Sequence, residues 1–301
     1  MLRVFRAALF ILILACVAVA DESAHAQSRI DCNALHSEIL KYDVHYCVYL
    51  PPNYDAAATK LKPRYPVLYF LHGLGDNEQT LFNSGGWTLL DDLKRRGKIG
   101  DFLIVAPEGR RSFYINSADG SVRYSDFFLR EFIPQIEARY RIVPGREGRA
   151  VSGISMGGYG ALRFAFAHPE MFSAVSAQSA ALITESPRDL DTASHSGAPL
   201  AKVLAAVFGN PIDARHWNEN SPFVLAKKNA GLRKLAIYFN CGQGDNYGFE
   251  TGAADLHHQL LRQGVQHEYH SYPGDHSLSY FLAHFGEVMG FHSKAFGLMK
   301  Q

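Results

Sequence analysis

Gly153-Ile154-Ser155-Met156-Gly157 reads G-x-S-x-G, and its flanks constrain the fold more than any other stretch of this chain. Arg149-Ala150-Val151-Ser152 precedes it and suits the end of a buried strand. Gly158-Tyr159-Gly160-Ala161-Leu162 follows and opens a helix-compatible run of small and apolar residues. Strand, sharp turn and helix are the context in which such a serine is presented at the edge of a sheet as a nucleophile. The flanking positions must be small because the backbone is folded tightly there, and glycine removes the side chain that would clash. The helix that follows aims free N–H groups at the turn, where negative charge on a tetrahedral oxygen can be held. An incidental serine in a glycine-rich turn is the alternative.

The pattern around this turn alternates strands with helices. Residues 65–71 and 102–106 are continuous apolar runs, as expected of strands covered on both faces. Residues 172–177, 235–240 and 266–271 read as further strands. Helical spacing is found over 81–96, 124–140, 250–263 and 277–291, with Pro134 set to kink the second of these or start a new segment. Residues 37–50 read as one or two strands ended by Pro51-Pro52, and residues 182–232 are irregular, with a short helix near 200–208. The expected fold class is therefore α/β: a mostly parallel sheet with helices on both faces and an antiparallel N-terminal edge. No internal repeat or linker divides the chain, so one domain over residues 27–301 is expected.

The first 26 residues read differently. Met1-Leu2-Arg3-Val4-Phe5-Arg6 is basic, and an apolar run from Ala7 to Ala20 follows, short for a membrane span. Ala24-His25-Ala26 offers a cleavage site, with Ala18-Val19-Ala20 as a second option. The reading is a signal peptide over residues 1–26 and a secreted or periplasmic protein without stable membrane insertion; an uncleaved anchor is the alternative, and Leu14-Ala15 fit a lipoprotein site at Cys16 poorly. Cleavage leaves Cys32, Cys47 and Cys241, so at most one internal bridge forms. In an oxidising compartment a Cys32–Cys47 disulfide is expected to staple the N-terminal arm, against the alternative of three free thiols. Net charge is +1 with 20% charged residues, which gives no electrostatic case for nucleic acid.

A serine hydroxyl needs a base within hydrogen-bond reach and an acid to orient that base. In an α/β-hydrolase the chain order is serine, acid, histidine. The loop after the last expected strand is Tyr272-Pro273-Gly274-Asp275-His276, which makes His276 the base. His270 lies inside the strand and His284 inside the helix. The loop after the preceding strand is Gly242-Gln243-Gly244-Asp245, which makes Asp245 the acid. Asp275 is the rival, but neighbouring side chains in an extended loop diverge, and Asp255 lies within a helix. The oxyanion needs two backbone donors. The Met156 N–H is one, and the Leu74 N–H in His72-Gly73-Leu74-Gly75 is the other. His257, His258, His267 and His270 have no zinc-like spacing, so no metal and no cofactor is expected. Trp87 and Trp217 suit a core or a pocket rim. Arg110-Arg111 reads as a solvated loop that could also meet an anionic substrate.

These residues resemble the esterase D-like α/β-hydrolases, the group of S-formylglutathione hydrolases, feruloyl and acetyl esterases and mycolyltransferases. The matching stretches, in order, are Tyr65 through Gly73, Phe132-Ile133-Pro134-Gln135-Ile136-Glu137 with Tyr140, Gly153 through Ala161, Cys241-Gly242 with Asp245, and Gly274-Asp275-His276-Ser277. The resemblance runs from about residue 37 to the C-terminus. It implies hydrolysis of a small-molecule or carbohydrate carboxylic ester through an acyl-enzyme on Ser155, and it puts Leu74, after the His-Gly pair, at the oxyanion. The pattern around the formylglutathione thiol-ester pocket is not matched, and export argues against a glutathione substrate. An acyltransferase passing the acyl group to a sugar or lipid alcohol, and a non-catalytic binding protein on the same fold, are the alternatives.

Overall fold

The computed structural model describes residues 27–52, 54–55, 62–195 and 199–299. The expected signal peptide lies outside them. An eight-stranded sheet organises the chain, in the order β1-β2-β4-β3-β5-β6-β7-β8. The strands are β1 Arg29–Ser37, β2 Tyr42–Leu50, β3 Val67–Leu71, β4 Leu103–Pro107, β5 Arg149–Ile154, β6 Ala174–Gln178, β7 Ala236–Gly242 and β8 Glu268–Tyr272. From β4 onward across the sheet every pairing is parallel, whereas β1 pairs β2 and β2 pairs β4 antiparallel. The expected class and its antiparallel edge are both present.

The central strands are buried on both faces because their side chains alternate between two cores. Val67, Tyr69 and Leu71 of β3 point into one, with Val105, Val151 and the aromatic cluster of Phe128, Phe132 and Phe164. Leu68 and Phe70 point into the other, with Ile104, Ala150, Leu90 and Phe285. The first core is covered by α2 Tyr124–Phe127, α3 Ile133–Arg139 and α4 Met156–Ala167, and the second by α1 Trp87–Arg95 and, at the end of the chain, the long helix that begins at Leu278. Phe128 stacks on Phe164 at 4.6 Å between ring centres, and each such fully buried ring contributes roughly 1.5–3 kcal/mol. Among the described residues no helix is long and apolar enough to cross a membrane.

Three expectations need correction. The first strand begins at Arg29, ahead of the expected 37–50 segment, and pairs along its whole length with β2. Its mixed polar sequence hid it because an edge strand need bury only one face. The helix expected over 124–140 is interrupted by a π-helical turn, Phe128–Phe132; Pro134 lies in the first turn of a new segment, α3, which is the second of the two roles expected for it. The short helix expected near 200–208 is present as α6 Pro199–Phe208, but the rest of residues 182–232, expected to be irregular, is also largely helical: α5 Pro187–His195, α7 Ala214–Asn220 and α8 Pro222–Lys228. Three of these open on a proline, at Pro187, Pro199 and Pro222. Proline suits the first helical position, where its missing N–H costs nothing. After them come α9 Phe249–Arg262 and α10 Leu278–Ala295.

Cys32 and Cys47 are directly opposite in the β1–β2 register and form a disulfide, with Cα atoms 4.1 Å apart. Cys241 is a buried free thiol at the end of β7.

Beneath the central strands, His292 of α10 is fully buried against Ser176 of β6. Its Nε2 lies 2.7 Å from Ser176 Oγ, which donates to Ser152 Oγ of β5, and its Nδ1 has no partner. Burial without a carboxylate pushes the imidazole down to about 3. The unfolded chain then binds a proton that the folded chain refuses. This contribution to stability is intact above the ordinary histidine value and is lost as pH falls from there toward 3, at about 1.4 kcal/mol per pH unit. Urea unfolding between pH 7 and 5 should show a steeper loss in wild type than in His292→Gln by roughly that slope. Equal slopes would show that His292 takes up its proton without unfolding.

Candidate active site

The site forms where the parallel strands end, which is where active groups gather in open α/β sheets. Ser155 joins β5 to α4 at φ 53° and ψ −118°, a left-handed conformation that costs a non-glycine residue roughly 1–3 kcal/mol. The surroundings hold it there. Its N–H donates to the Gln178 carbonyl at 2.9 Å, and its own carbonyl accepts from the Tyr159 and Ala181 N–H groups, each at 3.0 Å. The glycines of the motif are required by close approach: a Cβ at Gly153 would meet the Gly157 carbonyl, and one at Gly157 would fall on the Leu71 carbonyl oxygen of β3.

Asp245, after β7, and His276, after β8, converge on this turn. His276 Nε2 lies 2.9 Å from Ser155 Oγ, and its Nδ1 lies 2.7 Å from Asp245 Oδ2. The Asp245 side chain is completely shielded from solvent. Burial alone would raise its carboxyl, but the His276 hydrogen bond and charge, with the N–H groups of Tyr247 and Phe249, outweigh burial and hold it below the usual carboxylate range. An ionised Asp245 can only accept, so Nδ1 carries the proton, and Nε2 is left to accept from the Ser155 hydroxyl. The rival Asp275 is exposed and accepts from the Ser277 hydroxyl two residues on, away from the imidazole.

The imidazole is fixed by groups that the sequence reading did not single out. Tyr247, Phe249 and Phe281 meet its plane nearly edge-on, with centroids 4.8, 5.5 and 5.3 Å away. Asn246 Oδ1 accepts from the His276 backbone N–H at 3.3 Å. Nearness to Asp245 and His276 in the chain was the only available signal for Tyr247, Phe249 and Asn246. Cys241 Sγ lies 3.7 Å from Asp245 Oδ2, and burial pushes its thiol up to about 12, so it stays protonated and unreactive.

The loop after β3 forms the opposite wall. His72 is buried, its Nδ1 is 2.8 Å from the Gly73 carbonyl, and its Nε2 accepts from the Gly109 N–H at 2.8 Å. Burial lowers its pKa, and the two partners require a neutral ring donating from Nδ1. His72 therefore ties the Leu74 loop to the segment after β4. Leu74 and Met156 both line a cavity of about 500 Å³ together with Ser155 and His276. The rest of its wall is largely apolar, with Phe113, Ala181, Phe281 and, from α6, Leu200 and Val203. Arg111 also lines it, whereas Arg110 turns away to Glu108 and the Tyr42 ring. Trp217 is in the core against Phe208 and is not part of the cavity. His257 and His267 hydrogen-bond ring to ring at 2.8 Å, away from this wall.

A hydroxyl, an imidazole and an ionised carboxylate in line, at a strained strand–helix turn, can carry out acyl transfer. Fold and site together are those of an α/β-hydrolase. The chain belongs to the Esterase family, whose model matches residues 37–292. It is 28% identical over 246 residues to Esterase Rv1288 of Mycobacterium tuberculosis, covering 76% of this chain and 51% of that protein. The chain thus spans about half the length of the first curated relatives it matches. Among solved structures it is similar to a ferulic acid esterase, with a TM-score of 0.75 and 28% identity over 90% of this chain and 99% of the other. It also has the fold of the S-formylglutathione hydrolase FrmB of Staphylococcus aureus, with a TM-score of 0.70 and 22% identity over 87% of this chain and 98% of the other.

Proposed function

We propose that this protein is a serine carboxylic ester hydrolase, exported from the cytosol, with residues 27–301 as the mature hydrolase domain. Ser155 Oγ attacks the ester carbonyl while His276 Nε2 takes its proton and Asp245 stabilises the imidazolium. The N–H groups of Met156 and Leu74 hold the tetrahedral oxyanion. The His276 proton passes to the departing alcohol, leaving an acyl group on Ser155. Water, deprotonated by the same imidazole, then releases the acid. The observation that carries this reading is the unbroken hydrogen-bonded line from Asp245 through His276 to Ser155 at the end of β5. Export is supported by the Cys32–Cys47 disulfide and by the basic and apolar character of residues 1–26. The relatives named for ferulic acid esterase activity make hydroxycinnamoyl esters the first substrates to try, and the apolar cavity wall suits them.

The test is a panel of nitrophenyl, feruloyl and acetylated-sugar esters on the mature protein, with product analysis in the presence of an added sugar or lipid alcohol. Release of free acid with or without the acceptor is expected. Accumulation of a new ester on the acceptor would assign the protein to acyl transfer instead. Failure to turn over any ester, with no labelling by a fluorophosphonate, would identify it as a binding protein.

A further inference from the structure

Arg111 carries no hydrogen bond or ion pair to any described residue, yet it lines the catalytic cavity. The segment that presents it is built under strain. Arg110, Phe113 and Tyr114 all have positive φ, at 49°, 50° and 59°. Such conformations persist only where the surroundings over-determine them. Here the Tyr114 hydroxyl donates to the His72 carbonyl at 3.0 Å, and the Gly109 N–H donates to His72 Nε2. The loop is thereby pinned to the same residue that starts the Leu74 loop. Arg111 itself is exposed, and its place in the loop is set by these pinned neighbours.

The charges around the cavity point the same way. Besides His276, its charged lining residues are Arg111 and Asp76, and the two do not pair. Most of the remaining wall is apolar, and among the described residues no carboxylate lies within ion-pair distance of the Arg111 guanidinium. Arg111 also lines a second groove of about 220 Å³, between Tyr42 and Val207 of α6. It is thus shared by the two walls, where a substrate extending from the catalytic cavity into the groove would meet it.

We infer that Arg111 is a specificity-determining residue that selects esters bearing a carboxylate, on the alcohol or on the acyl part, away from the scissile bond. The planar guanidinium offers two parallel N–H donors, a geometry matched to a carboxylate. This inference rests on the ester-hydrolase reading above and extends it to a substrate class.

Two matched pairs of esters test it. On the alcohol side, 4-carboxyphenyl acetate is compared with its neutral isostere, 4-carbamoylphenyl acetate. On the acyl side, the 4-nitrophenyl monoester of adipic acid is compared with that of adipamic acid. The readout is the ratio of kcat/KM within each pair, for wild type, Arg111→Gln, Arg111→Lys and Arg111→Glu. In wild type at least one pair should favour the anion. In Arg111→Gln that preference should fall about tenfold, mainly through KM because the contact is remote from the reacting carbon. Arg111→Glu should reverse it, and Arg111→Lys should retain part of it. Arg262→Gln, at an exposed arginine ending α9, is the control and should leave the ratio unchanged. The responding pair identifies the side that carries the anion. Turnover of the neutral esters with ratios that ignore the charge at position 111 would overturn the inference while leaving the hydrolase reading intact. No turnover of any of the four esters would instead refute the hydrolase reading.

Discussion

Ser155→Ala is expected to abolish labelling by a fluorophosphonate and to lower kcat for any ester substrate by a factor on the order of 10⁶. The size follows from how the groups act. Serine, imidazole and carboxylate contribute as one unit, so removing the atom that forms the acyl bond forfeits the contribution of the other two. A residue of activity over water, roughly 10³–10⁴, should survive from the oxyanion donors and substrate binding. The variant should fold. Alanine removes only Oγ, and the backbone contacts that hold residue 155, to Gln178, Tyr159 and Ala181, remain. Circular dichroism and the unfolding midpoint should stay close to wild type. Near-normal turnover by the folded variant would remove Ser155 from the mechanism and leave its strained conformation unexplained.

Asp245→Asn should leave the fold in place and cost roughly 10⁴ in kcat. An ionised carboxylate obliges His276 to carry its proton on Nδ1, which turns the bare Nε2 toward Ser155. An asparagine can present its NH₂ to Nδ1 instead. That tautomer places the proton on Nε2, where it faces the hydroxyl and cannot accept from it. The sign of the Asp245 shift sets the acid behaviour. Its carboxyl is held below the ordinary range in the folded chain, so its pairing stabilises the fold above the unfolded value, and that contribution is lost as pH falls through the folded one. In the neutral range it is fully ionised. The comparison that decides the assignment is Asp275→Asn, which should change kcat little because that carboxylate accepts from Ser277 and not from His276. A large loss in Asp275→Asn with a small one in Asp245→Asn would exchange the two roles.

Much of the site was legible because each of its residues has a local signature. G-x-S-x-G is a backbone requirement: two close approaches, by Gly153 and Gly157, leave room for no side chain at either. Asp245 and His276 follow strands whose apolar runs are visible, and in a parallel sheet the residues after successive strands gather at one edge. Chain order then becomes spatial neighbourhood without any further information. The disulfide was legible for a different reason. A short separation between two cysteines in an extended region is compatible with facing positions on paired strands, and the β1–β2 register brings Cys32 opposite Cys47.

Other features depended on contacts between segments far apart in the chain. β1 has no clear pattern of its own, and it is a strand because β2 offers it a full ladder of hydrogen bonds. Residues 182–232 read as irregular, yet three of their prolines begin helices. Whether a proline ends one element or opens the next depends on whether the following residues find a surface to pack on. His72, Tyr247, Phe249 and Phe281 surround the candidate site through ring contacts and hydrogen bonds that no spacing rule announces. The same holds for Arg111, which sequence left between a solvated loop and a substrate contact. The sequence by itself determined the sheet class, the turn that carries Ser155, and the order of its partners, because these follow from local backbone needs and strand periodicity. Only the tertiary structure decided which side chains close around them, since burial, pairing and an unpaired charge facing a cavity are properties of neighbours in space.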